Sequence, residues 1–356
     1  MRKEINLTIG TDKDGQGGIA SVLTVLHESN FFNETNSLLL SSHKINQKLG
    51  RFSKPYYFLL CLIKLSLYLL IFKVNLIHVH MSSDGSYSRK SILLNIAKLF
   101  KIKTIIHLHS GGFPSFYKQC SRLKQKKIEK TLNLADMIIV LSKQAKSWMN
   151  SHINDKSKVR IVYNAVPKEV FPQKLSKEQI ILFLGHLGEH KGVDDLINAF
   201  AKTLNKHPNV LLHLAGEGDT HKYKEQVDEL GISESVSFLG WVAGENKKQS
   251  LIDSTIFCLP SYYEALPMGI LEAMSAKVAV ISSGVGGIPD VIEHGKEGIL
   301  IEAGNIDELA HSLDTLLTDS NLRNKLINAA KTKYQQNFTP EVIVPQLKKI
   351  YKELLN

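Results

Sequence analysis

The chain has 356 residues, 43% hydrophobic and 22% charged, which excludes a disordered polymer and exceeds what one hydrophobic core usually supports, so two domains are expected. Its three cysteines, Cys61, Cys120 and Cys258, are odd in number and form no Cys-x-x-Cys pair, which excludes a disulfide framework or zinc ribbon and fits a reducing cytoplasm. The net charge of +10 is uneven, since residues 1–165 hold 25 Lys and Arg against 9 Asp and Glu while residues 166–356 hold 19 against 25.

The opening "MRKEINLTIG" lacks the apolar core of a signal peptide and reads as a first strand, Ile5–Ile9. Residues Pro55–Phe72 carry one charge, Lys64, in 18 positions, near the shortest length that crosses a bilayer. Lys64 would cost roughly 2.5–3.5 kcal/mol at the membrane centre, and "NLIHVH" after it reads as a strand of the same domain. The segment is therefore read first as a buried helix of an α/β layer, second as a helix in the lipid interface and last as a span. Further strands follow at Leu76–His80, Thr104–Leu108, Met137–Leu141 and Val159–Val162, with a basic run, Tyr117–Lys130, that reads as a solvated helix face. Tyr163–Gln179, with two prolines, suits a linker. The pattern then restarts at Ile180–Leu184, Val210–Ala215, Ser235–Leu239, Ile256–Leu259 and Val278–Ile281. Strands alternating with helices predict two doubly wound, Rossmann-like α/β domains facing across a cleft, over 1–165 and 166–339, with ligands beyond the carboxyl ends of the strands.

No nucleic-acid module or aromatic ladder accompanies the lysines of the first half. An anionic membrane surface or a phosphorylated lipid is the partner its charge suggests. His78 and His80 are read as a structural pair, because two histidines without a third ligand do not make a metal site. His107 is expected to face away from His109 on its strand.

The second half places chemistry at its strand ends. "GHLGEHKG" (Gly185–Gly192) sets Lys191 in a glycine-bearing turn before a helix, where amides and dipole favour anions. "GEGD" (Gly216–Asp219) allows close backbone approach or is a plain loop. In "EALPMGILE" (Glu264–Glu272), Pro267 suits the start of a helix whose free amides, at Met268 and Gly269, can bind a diphosphate. Glu272 follows Met268 by four residues, about 5.4 Å along the helix. Either the two carboxylates accept hydrogen bonds from ligand hydroxyls, or Glu264 caps the helix and Glu272 is a surface residue.

"EALPMGILEAM" resembles the E-x7-E motif of the family-4 retaining glycosyltransferases (glycosyltransferase group 1) of GT-B fold. "FLGHLGEHKGVDDLINAF", "LHLAGEGD", "VSFLGWV" and "GVGGIPDVIEHGKEGILIEAGN" follow the family order through the second half, and "GQGGIASV" and "TIIHLHSGGF" are similar to its looser N-terminal features. The resemblance implies that Glu264 holds hydroxyls of the transferred sugar, Glu272 holds the ribose, and Met268 and Gly269 lie near the phosphates. It also implies that Lys191 neutralises the diphosphate, that Gly17 and Gly18 approach it from the other domain, and that His109 lies against the donor sugar. The base is expected near Gly216 and the Leu239–Val242 loop. The C-terminal helix, about 340–356, is expected to return to the first domain. His186 stands where the family usually has Arg, a weaker cation near neutrality.

The implied reaction is retaining, metal-independent transfer of a sugar from a nucleoside-diphosphate donor to a lipid-linked or polysaccharide acceptor, by a cytoplasmic enzyme peripheral to the membrane. No cofactor is expected. Asp12–Asp14 spells D-x-D, a metal motif of a different glycosyltransferase fold, and reads here as a solvated loop. The alternatives are a nucleotide-sugar epimerase of similar fold and a non-catalytic nucleotide-sugar binding protein.

Overall fold

The computed structural model describes residues 2–12, 15–43, 50, 52–169, 171 and 178–356. Within the expected linker, residues 170 and 172–177 lie outside the described residues, as do Lys13 and Asp14 of the Asp12–Asp14 motif. The chain forms two compact units, Met1–Ala165 with Pro340–Asn356, and Val166–Thr339.

The first unit is a parallel sheet of β1 (Glu4–Gly10), β2 (Ser37–Ser41), β3 (Lys73–Met81), β4 (Lys103–Leu108), β5 (Met137–Val140) and β6 (Val159–Ile161), in the order β2-β1-β3-β4-β5-β6. In β1, β3, β4 and β5, successive residues are buried rather than alternate ones. Burial on both sides of the pleat is why these strands read as continuous apolar runs. The second unit is a parallel sheet of β7 (Ile180–Leu184), β8 (Leu211–Ala215), β9 (Val236–Gly240), β10 (Ile256–Leu259), β11 (Ala279–Ser283) and β12 (Ile299–Ile301), in the order β12-β11-β10-β7-β8-β9. Strand order reverses between β1 and β3 in the first sheet and between β7 and β10 in the second. Those are the positions where doubly wound sheets bind ligands.

The expected strands are present, and two more were not expected. β2 is "SLLLS", three leucines flanked by serines with no period of two, and β12 has only three residues. Short apolar runs of this kind carry no periodicity that separates strand from helix.

The helix Ser53–Ile71 corrects the first reading of its segment. Only 11% of its apolar window is buried; Cys61 and Leu65 face the core while Tyr56, Leu59, Ile63, Leu67 and Leu70 are exposed. It is long and apolar enough to cross a membrane, yet Cys61 and Leu65 belong to the same core cluster as β1 and β3. A helix tied to its own sheet by one face presents the other face outward.

The helix Pro340–Leu355 belongs to the first unit. Its Tyr351 is buried, with the hydroxyl 3.0 Å from His78 Nδ1 and 3.4 Å from Thr8 Oγ1, and the ring edge-on to Phe31 at 5.2 Å. Tyr351→Phe keeps the ring and leaves buried partners unpaired, at a cost of about 1–3 kcal/mol. We expect the urea midpoint of the first unit to fall while that of the second is unchanged. An unaltered first midpoint would show that the hydroxyl does not hold this helix.

Candidate functional site

At the switch point of the second sheet, two loops meet. The loop after β7 runs through the turn Glu189–Lys191 to Gly192, and the loop after β10 runs from Pro260 to Glu264. Gly192 has φ +69°, and a Cβ there would stand 2.2 Å from the Pro260 carbonyl oxygen. Only glycine permits that approach. It brings Lys191 Nζ within 2.5 Å of Glu264 Oε1, which also accepts from Ser261 Oγ at 2.8 Å. Glu264 is 8% exposed. Gly286 (φ +61°) closes on its backbone from another side, where a Cβ would fall 1.7 Å from the Glu264 carbonyl oxygen. The glutamate is thus fixed at main chain and carboxylate, and losing Lys191 would leave its buried charge with the Ser261 hydroxyl but no cation in hydrogen-bond contact among the described residues.

The helix after this loop is Met268–Ser275, one residue later than expected, with Pro267 as N-cap in extended conformation. No side chain caps it, so Glu264 does not act as a cap. The free amides of its first turn include those of Met268 and Gly269. A Cβ at Gly269 would stand 2.9 Å from the Phe257 ring, so this glycine lets the helix press onto β10. Glu272, one turn on, is not a solvated surface residue: its side chain is 14% exposed and its Oε1 accepts from Lys247 Nζ at 2.7 Å. Sequence reasoning missed Lys247, which lies on the helix Gly244–Asp253 with no spacing that links it to Glu272.

Gly216 (φ +155°) is required by the protein's own packing, because a Cβ would sit 1.7 Å from the Gly185 carbonyl oxygen. His186, next to Gly185, is exposed; its ring stacks at 5.8 Å on His190, which stacks at 5.5 Å on Tyr263. Burial, then Lys191 and His186, push the His190 imidazole below its ordinary range, with Glu264 opposing. Val242 is half-buried between β9 and the helix Gly244–Asp253.

In the first unit, Gly17 (φ +102°) is the N-cap of the helix Gly18–Glu28. Among the described residues a Cβ at Gly17 or Gly18 would meet nothing within 4 Å, so crowding by them is not what calls for glycine there. His109 directly follows β4; its N–H donates to the Met81 carbonyl at 2.8 Å and its Nε2 lies 2.9 Å from His80 Nδ1. Burial, then Lys90, push His109 down to about 3, so its ring is neutral.

His107 does not face away from His109. Their ring centroids are 4.2 Å apart, as residues two apart on a strand share one face. His107 also supplies the third histidine that the pair His78 and His80 lacked, with ligand atoms of the three within 4.8 Å of one another. The rings of His78 and His107 lie 8° from parallel and those of His78 and His80 28°. In-plane lone pairs of rings as parallel as those of His78 and His107 do not converge on one ion, while His80 is tilted by 34° to His107.

The profile of Glycosyl transferases group 1 matches residues 167–333, and that of Glycosyltransferase Family 4 matches residues 27–170. An uncharacterized glycosyltransferase of Methanocaldococcus jannaschii is 32% identical over 60% of this chain and 59% of its own length. A GalNAc-alpha-(1->4)-GalNAc-alpha-(1->3)-diNAcBac-PP-undecaprenol alpha-1,4-N-acetyl-D-galactosaminyltransferase of Campylobacter jejuni is 34% identical over 45% of each chain. The chain thus spans about half the length of these curated relatives. The structure of sucrose-phosphate synthase from Thermosynechococcus elongatus superposes with a TM-score of 0.83 over 99% of both chains at 20% identity, a likeness of fold. With two successive family profiles and a shared two-sheet fold, the chain belongs to the group 1, family-4 glycosyltransferases of GT-B fold.

Proposed function

We propose that the protein transfers a sugar, with retention, from a nucleoside-diphosphate donor to a lipid-linked or polysaccharide acceptor in cell-surface glycan synthesis. The observation that carries this reading is the Lys191–Glu264 pair at the second switch point, beside the uncapped amides of the Met268–Ser275 helix. In the proposed mechanism those amides and Lys191 take the charge that builds on the diphosphate as the bond to the sugar breaks. They are worth most in the transition state, where that charge is largest. A lysine and a helix terminus do this without a metal, and exposed His186 adds a donor.

Glu264 is the proposed binder of the sugar hydroxyls, held ready by Ser261 and Lys191. Glu272, anchored by Lys247, is the proposed acceptor for the ribose, with the base near Gly216 and Val242. His109, neutral, would serve as hydrogen-bonding partner rather than as a cation, and Gly17 and Gly18 would leave room for phosphate. The name of the Campylobacter relative, a transferase acting on an undecaprenol-diphosphate glycan, supports a lipid-linked acceptor.

The membrane part of the proposal rests on the helix Ser53–Ile71. Its outward face of Tyr56, Leu59, Ile63, Leu67 and Leu70 suits the headgroup boundary of a bilayer, and the positive excess of the first 165 residues suits anionic lipid. On this reading the enzyme works at the cytoplasmic face of a membrane.

Three outcomes test the proposal. Glu264→Ala should lower kcat/KM for transfer at least about tenfold, and retained activity would remove Glu264 from the site. Lys247→Ala should raise KM for the donor about threefold to tenfold with kcat nearly unchanged, because it frees the ribose-binding carboxylate without touching the reacting atoms; a loss confined to kcat would contradict that role. Joint replacement Leu59→Glu and Ile63→Glu should abolish sedimentation with anionic vesicles while the thermal midpoint holds. Undiminished sedimentation would mean that this face does not meet lipid.

A further inference from the structure

The switch point of the first sheet holds a basic cluster that the account above leaves without a task. Lys90 lies on the helix Asp84–Leu99, which follows β3, and is 0% exposed. Its Nζ donates to Ser42 Oγ at 2.8 Å, and Ser42 Oγ donates to the carbonyl of Gly10, the last residue of β1, at 2.7 Å. His43 Nδ1 is 3.3 Å from the same hydroxyl. One hydroxyl cannot satisfy an ammonium group, which has three donors. The adjacent Arg89 has a buried Nε with no partner.

The charges acting on this cluster all have one sign. His43 is influenced by Lys90, Arg89 and Lys54, and His109 by Lys90. Lys90 is influenced by Arg89 and by the neutral thiol of Cys61, and no carboxylate acts on Lys90, Arg89, His43 or His109 among the described residues. Burial, then Arg89, lower the Lys90 ammonium to about 7. Other partly buried lysines of this chain are compensated: Lys191, Lys247 and Lys333 reach carboxylates, and Lys158 and Lys331 reach backbone carbonyls. A buried cation with no anion is costly, and here it stands where a doubly wound sheet takes its ligand.

We propose that Lys90 and Arg89 form an anion site at the carboxyl edge of the first sheet, which takes a phosphate or diphosphate group of the acceptor substrate. The word acceptor rests on the transferase reading; the anion site does not. A phosphate group on Arg89 supplies the negative charge that Lys90, buried behind it, lacks among the described residues. Arg89 offers a planar fork suited to two phosphate oxygens, and Lys90 a point charge behind it.

The test uses inorganic pyrophosphate as probe, followed by calorimetry and thermal shift, on the full chain carrying Lys191→Ala so that the second unit's phosphate lysine does not contribute. Pyrophosphate should bind this parent and raise its midpoint. Adding Lys90→Met should weaken binding at least about tenfold and remove the ligand-induced rise, while the midpoint without ligand stays level or increases, because methionine fills the space without a charge. Arg89→Gln, a half-buried position, should weaken binding at least about threefold and decides the matter alone if Lys90→Met does not fold. Absence of binding to the parent, or affinities in the folded variants within about twofold of it, would overturn the site. Geranyl diphosphate binding more tightly than pyrophosphate would identify a lipid-borne phosphate, and equal binding a water-soluble ester. Donor binding to the unmodified chain reads out separately: its failure would sink the transferase reading and leave the anion site standing.

Discussion

The Lys191–Glu264 ion pair depends on two glycines that carry no chemistry. Without the close approach of Gly192 to Pro260, the loop after β7 could not reach the loop after β10, and without Gly286 the backbone of Glu264 would not have its place. Each contact is so short that any Cβ would force one loop to move. The geometry of the pair is therefore written into backbone conformations rather than into the two charged side chains. Such a pair has little net effect on stability, since desolvation offsets most of the attraction. What it provides is position, with a cation and a carboxylate oriented before any ligand arrives.

The two sheets solve the same problem in different electrostatic ways. Both gather polar side chains at the place where strand order reverses, beyond the carboxyl ends of the strands, where doubly wound sheets take their ligands. In the second unit Lys191 has Glu264 beside it and Lys247 has Glu272. In the first unit, among the described residues, no carboxylate acts on Lys90 or Arg89, and the neighbouring histidines are held neutral by burial. The overall charge asymmetry of the sequence thus has a local counterpart in one cluster. The apolar outer face of the Ser53–Ile71 helix is a separate feature of the same unit, open to solvent instead of facing the sheet.

Most of the sheet architecture was legible because parallel strands buried on both sides read as continuous apolar runs between helical stretches. β2 and β12 were not, one for its leucines and the other for its length. Glu264 and Lys191 stood out because each follows a strand and lies in a loop before a helix, and the reversal between β7 and β10 brings those loops together. Lys247 could not be found this way, as its link to Glu272 exists only through the packing of two helices. The glycines differ in what the fold asks of them. The close backbone approach read at Gly216 is made by the protein's own Gly185, and Gly269 packs on Phe257, whereas a Cβ at Gly17 or Gly18 would meet no described atom within 4 Å. The face of His107 was misjudged although period two places it beside His109. The burial of the Ser53–Ile71 helix was overestimated because hydrophobicity records what a segment tolerates and not what covers it.

The central claim is that the helix amides after Pro267, with Lys191, receive the diphosphate of an activated sugar whose hydroxyls meet Glu264. Diffraction from crystals soaked with a nucleoside-diphosphate sugar tests it most directly. The account predicts phosphate oxygens within hydrogen-bonding distance of the Met268 and Gly269 amides and of Lys191 Nζ, with sugar hydroxyls on the Glu264 carboxylate. A diphosphate bound elsewhere, with the Lys191–Glu264 pair untouched and no ligand atom near Met268, would contradict it.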